Sequence, residues 1–167
     1  MPEFDPVSVL RVLVERDVDF VVIGGIAARL RGAPLLTQDV DITPASDRAN
    51  LERLASALEE LDARLRTALE PEGVPFPFDP ALLELATVWT LVTRFGDLDL
   101  VVSPAGTKGY SDFVRDADDL RVATDPELIV KVASLVDVIR SKEAAGREKD
   151  RAALPMLRRT LEESAND

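Results

Sequence analysis

Phe20-Val21-Val22-Ile23-Gly24-Gly25 and, thirteen residues further on, Asp39-Val40-Asp41-Ile42 decide how this chain is read. The first stretch is an apolar, β-branched run that ends on two glycines, which reads as a strand running into a tight turn. In the second, residues i and i+2 of a strand share one face about 6.8 Å apart. The Asp39 and Asp41 carboxylates therefore project together, while Val40 and Ile42 turn to the core. Two neighbouring anions repel, and the usual reason to keep such a pair is a divalent cation held by carboxylate oxygens. A charged, solvated strand edge would give the same pattern.

A third carboxylate sharpens the reading. In Phe95-Gly96-Asp97-Leu98-Asp99-Leu100-Val101-Val102, Leu98, Leu100 and Val102 alternate with Asp97 and Asp99. Asp97 directly follows Gly96 and reads as a turn residue, so Asp99 is the expected third ligand if its strand lies beside the Asp39 strand. Three carboxylates around one point can hold two Mg²⁺ ions about 4 Å apart, the arrangement that clamps an in-line phosphoryl displacement. Gly24-Gly25 precedes a helix start, where backbone can approach an anion closely; a plain tight turn is the alternative. Neither G-x-G-x-x-G nor a Walker A motif is present.

Composition narrows the chemistry. The 167 residues suit one domain, 1–167, able to bury a core. There is no cysteine and no histidine, so disulfides, thiolate chemistry, zinc sites and His-based triads are excluded. Catalysis must run on carboxylates, Lys, Arg, hydroxyls or a carboxylate-held metal. No signal peptide and no apolar run long enough for a bilayer are seen, so a cytoplasmic protein is expected. The net charge of −11 argues against a general nucleic-acid binder. From Lys131 to Arg159, however, eight basic residues face four acidic ones. That segment is either a solvated helix face or a local phosphate-binding wall.

Along the chain, Asp5-Pro6 opens a helix, Asp17 to Ile23 is a strand, and Ile26 to Arg31 is a short helix closed by Gly32. Gln38 to Thr43 is the Asp-x-Asp strand, and Ser46 caps a helix with Leu51, Leu54, Leu58 and Leu61 at helical spacing. Ala63 to Leu69 is a further candidate strand. Pro71 to Pro80 is an irregular loop whose Phe76 and Phe78 either pack on the core or form a docking lid. Val88–Thr93 and Asp97–Val102 form a hairpin; Tyr110–Ala117 is a short helix, and Leu120–Ala123 and Ile129–Ala133 are candidate strands. Ser134 starts a helix through Ala145, Gly146 breaks it, and a last helix from Arg147 is expected to bend or restart before Pro155.

The order of these pieces resembles the polymerase-β-type nucleotidyltransferase superfamily, and within it the small bacterial MenT/AbiEii-like toxins. The resemblance is carried by Gly24-Gly25-Ile26-Ala27, Leu30-Arg31-Gly32, Thr37-Gln38-Asp39-Val40-Asp41, Gly96-Asp97-Leu98-Asp99-Leu100, and Ser141-Lys142 through Arg147 to Asp150. It implies an α+β, nucleotidyltransferase-like fold: a mixed or antiparallel sheet flanked by helices, with C-terminal helices completing the cleft. It implies that Gly24, Gly25 and Thr37 hold the nucleotide phosphates and that Asp39, Asp41 and Asp99 bind Mg²⁺, with Mn²⁺ as a substitute. Asp99 would also deprotonate the acceptor. Lys142 and Arg147 would face the triphosphate, with Asp150 orienting one of them. Two positions depart from the pattern: Arg31 stands where histidine is common, and Leu35 where an arginine phosphate contact is common.

The expected reaction moves a nucleoside monophosphate from a triphosphate to a hydroxyl, releasing pyrophosphate. The resemblance implies a toxin acting on the tRNA 3′ end, with a cognate antitoxin or toxin as partner. An antibiotic-like small molecule or a protein hydroxyl are other acceptors. A non-catalytic binding module, antitoxin or regulator, is the contrasting expectation.

Overall fold

A computed structural model describes residues 2–167. Its centre is a seven-stranded mixed sheet in the order β3-β4-β5-β2-β1-β7-β6. β1 (Phe20–Ile23) is buried throughout, as its apolar run requires. It pairs antiparallel with β2 (Asp39–Pro44) and parallel with β7 (Glu127–Val132). β2 runs parallel to β5 (Gly96–Val101), which pairs antiparallel with β4 (Val88–Thr93). β3 (Arg64–Leu65) and β6 (Asp118–Thr124) are the edges.

Val40, Ile42, Leu98 and Leu100 are essentially inaccessible, so the alternation in both Asp-bearing strands sends the leucines, valine and isoleucine to the core. α1 (Pro6–Glu15) packs there. Asp5 caps it by accepting from the Ser8 amide at 3.1 Å, and Val9, Leu10, Val12 and Leu13 form its buried face. α3 (Arg48–Glu60) packs beside it. Fully buried Asn50 stitches α3 to the sheet: its amide donates to Asp19 O (2.9 Å) and Ala45 O (2.7 Å), and its Oδ1 accepts from Asp19 N (2.7 Å).

α2 (Gly24–Leu30), α5 (Tyr110–Arg115) and the pair α6 (Leu135–Ala145) and α7 (Glu148–Ala165) complete the helical layer, and α4 (Pro80–Leu83) is a single turn capped by Asp79. Gly146, at φ 63°, closes α6 in the left-handed conformation that favours glycine.

Several elements differ from expectation. The α3 cap is Asp47, which accepts from Asn50 N at 3.0 Å, not Ser46. The chain turns at Asp17 (φ 57°), so β1 starts only at Phe20. The Ala63–Leu69 strand shrinks to two residues, because beyond Leu65 the chain leaves the edge for the proline loop. α7 runs unbroken through Pro155, which is exposed, while Ala153, Leu154 and Leu157 are buried beside it. Burial of that face outweighs the roughly 3 kcal/mol that an interior proline costs. Phe76 packs tilted and Phe78 edge-on against Trp89, with ring centroids 5.6 and 6.2 Å away, so the proline loop packs inward. Among the described residues no helix is long and apolar enough to cross a membrane.

Candidate active site

The parallel β2–β5 pairing sets Asp41 opposite Asp99 and Asp39 opposite Asp97. All four face away from the core. One carboxylate oxygen from each of Asp39, Asp41 and Asp99 lies within 4.8 Å of the others, the trio the sequence singled out. Asp97 does not serve the hairpin turn. It pairs with Arg66, Nη2 to Oδ1 at 2.7 Å, and so is taken out of the cluster. The turn is held instead by Thr93, whose Oγ1 donates to Gly96 O (2.7 Å) and accepts from Phe95 N (3.1 Å).

The glycine pair has a steric reason. β1 is registered so that Ile23 lies opposite Asp41, which puts Gly24 against the Asp41 carboxylate. A Cβ at Gly24, where φ is +65°, would overlap Asp41 Oδ2 and Cγ. A Cβ at Gly25 would stand 2.9 Å from the Thr37 side chain. Thr37 in turn donates from Oγ1 to Asp39 Oδ1 (3.0 Å) and so orients the first carboxylate.

The opposite wall comes from the α6–α7 corner. Asp150 is fully buried and holds both cations expected there: Arg147 Nε at 2.7 Å and Lys142 Nζ at 3.5 Å. Together these surfaces enclose a cleft of about 670 Å³ that also touches Leu35, Leu36, Val88 and Val101. The sequence treated Lys149 only as one basic residue among eight, yet it lines this cleft. No local pattern separates it from its neighbours.

The electrostatics follow from this crowding. Burial, then the charges of Asp39 and Asp99, push the Asp41 carboxyl up to about 8, against the pull of Lys142 and Lys149. Burial and the charge of Asp39 push Asp99 up to about 6, against its hydrogen bond with Asp41. Burial also acts to raise Asp150, but its hydrogen bond to Arg147 and the two cations outweigh that and hold it below the ordinary range. The same bond raises Arg147. A cluster of hard oxygen donors that resists its own ionisation is what a divalent cation would relieve, so the donor set fits such an ion.

The two departures separate cleanly. Arg31 is a structural clamp on the strand ends: it donates to Ala133 O (3.1 Å), Val132 O (2.8 Å) and Asp118 Oδ2 (2.6 Å). It lies outside the cleft lining, and its difference leaves the site untouched. Leu35 does line the cleft, so that wall is apolar at the position where the resemblance implies an arginine.

Comparison with known proteins agrees on the architecture. No family model and no curated protein matches the sequence. Among solved structures, a predicted nucleotidyltransferase from Thermotoga maritima is similar over 97% of both chains, with a TM-score of 0.57 and 18% identity. The antibiotic-resistance factor ANT(2″)-Ia is similar over 93% of this chain and 82% of its own, at 0.56 and 16%. Its complex with adenylyl-2″-tobramycin gives 0.54 and 15% over 92% and 85%. The chain therefore has the nucleotidyltransferase fold. The finer likeness to the toxin branch rests on the sequence motifs alone.

Proposed function

We propose that this chain is a metal-dependent nucleotidyltransferase. The observation that carries the reading is the meeting of Asp39, Asp41 and Asp99 within 4.8 Å, across a cleft from Lys142 and Arg147. Asp39, Asp41 and Asp99 would hold divalent metal, Mg²⁺ as a two-ion site or Mn²⁺ in its place. When bound, the metal would activate the acceptor hydroxyl and neutralise the departing pyrophosphate. Gly24 and Gly25, which let the Asp41 and Thr37 side chains pack against the backbone, would present their main chain to the phosphates, and Thr37 keeps Asp39 aimed. The acceptor oxygen bonds to the α-phosphorus as the α–β bridging bond breaks. The hydroxyl proton passes to Asp99, and pyrophosphate departs towards the basic wall.

For the acceptor, the motif likeness supports the tRNA 3′ end, with a cognate antitoxin as partner. A second reading is favoured by charge. The protein carries −11, and a neighbour in fold was captured with an adenylylated tobramycin, which supports a small hydroxyl-bearing molecule. The test incubates the protein with Mg²⁺ and each α-labelled triphosphate, with bulk tRNA or with a panel of polyols and amino sugars. Label should move to one acceptor class and vanish in Asp39→Ala, Asp41→Ala and Asp99→Ala. Stabilisation by triphosphate without any transfer would favour the binding module instead.

A further inference from the structure

Three cations line the cleft, and they are not equivalent: Lys142, Arg147 and Lys149. Arg147 is committed. Its backbone N–H and its Nε and Nη2 all donate to Asp150, at 3.3, 2.7 and 3.3 Å, tying down the start of α7. Lys142 is partly committed, with its ammonium 3.5 Å from the same carboxylate. Asp150 is fully buried. Swinging Arg147 onto a ligand would strip that buried anion of its strongest partner, which is heavily penalised. Lys142 keeps two N–H donors and little freedom to move.

Lys149 differs on every count. It sits in the first turn of α7, is exposed, and among the described residues makes no hydrogen bond or ion pair. It belongs to the cleft lining together with Asp41 and Asp99, and its charge is felt by both. A lysine is a compact charge on a flexible stem, suited to following charge that moves as a bond breaks. We infer that Lys149 binds the outer phosphates of the nucleoside triphosphate and travels with the departing pyrophosphate, whereas Arg147 is a positioning residue that fixes the α6–α7 corner. This assignment rests on the nucleotidyltransferase reading and moves to Lys149 the phosphate contact that the resemblance implies for Arg147. It also supplies the cation that Leu35 withdraws from the other wall.

The experiment measures binding of Mg·ATP and Mg·AMP by calorimetry to the wild type, Lys149→Gln, Lys149→Arg and Arg147→Gln, with thermal unfolding of each metal-free protein alongside. Removing one charge-assisted contact predicts about a tenfold to hundredfold loss of ATP affinity in Lys149→Gln. AMP affinity should stay within about twofold of the wild type, and Lys149→Arg should recover most of the ATP preference. Arg147→Gln should lower the melting temperature yet keep the ATP-to-AMP ratio. Unchanged ATP affinity in Lys149→Gln, or collapse of the ratio in Arg147→Gln, overturns the assignment alone. A wild type that binds no triphosphate overturns it together with the reading beneath it.

Discussion

Metal-free protein should lose stability as pH rises through neutrality, the reverse of ordinary carboxylate behaviour. In the folded state Asp41 is raised to about 8 and Asp99 to about 6, both from 3.8. The cause is burial first and mutual repulsion second. In the unfolded chain both are ionised above about pH 5. At neutral pH the native state therefore binds more protons than the unfolded one, and stability falls as pH increases. The favourable contribution is complete below 3.8, declines above it, and is gone once pH has passed about 6 for Asp99 and about 8 for Asp41.

Between pH 6 and pH 8 these two groups together remove about 2–3 kcal/mol, most of it through Asp41. For a domain of this size that is a fall of about 4–10 °C in melting temperature. Urea unfolding in chelator at constant ionic strength would read it directly. Saturating Mg²⁺ should flatten the profile, because metal takes the place of the proton and neutralises the ionised pair. The stabilisation by Mg²⁺ should accordingly be small at pH 6 and large at pH 8. Asp41→Asn cannot ionise, so its metal-free profile should be nearly level and Mg²⁺ should do little for it. A level wild-type profile in chelator, or a slope that persists in Asp41→Asn, would refute the reasoning.

Other perturbations follow from single contacts. Thr37→Val keeps shape but removes the 3.0 Å bond to Asp39, so metal affinity and transfer rate should drop about 10–100-fold with stability little changed; Mn²⁺ titration and a rate assay would check it. Gly24→Ala drives a methyl into the Asp41 carboxylate at a φ of +65°, and should abolish both transfer and Mg²⁺ stabilisation while the circular dichroism stays native. Asn50→Ala leaves Asp19 N and Ala45 O without their side-chain partner, while Asp19 O keeps its bond from Ala45 N; chemical denaturation should show a loss of about 1–3 kcal/mol with no direct effect on the metal site.

The carboxylates were legible because a strand has a period of two. Asp39 and Asp41 alternate with Val40 and Ile42, and Asp99 alternates with Leu98 and Leu100, so local sequence alone states which side chains share a face. That β2 and β5 are neighbours, in parallel and with Asp41 opposite Asp99, was a condition placed on the reading and not a product of it. The readings that changed are those settled by partners remote in sequence. Asp97 looks like a turn residue until Arg66, thirty-one positions away, is found beside it. Arg31 looks like a departure in a site motif until its guanidinium is traced to the ends of β7 and β6, about a hundred residues on. Pro155 reads as a break because propensity is local, whereas the burial that carries α7 past it is not.

The basic C-terminal segment makes the same point within the site. Composition showed a surplus of positive charge but could not distinguish a spent cation from a free one. That distinction depends on which of them a single buried carboxylate has claimed. Asp150 claims Lys142 and Arg147 and leaves Lys149 open, so the cation left free for a ligand is the one with the least to mark it in sequence.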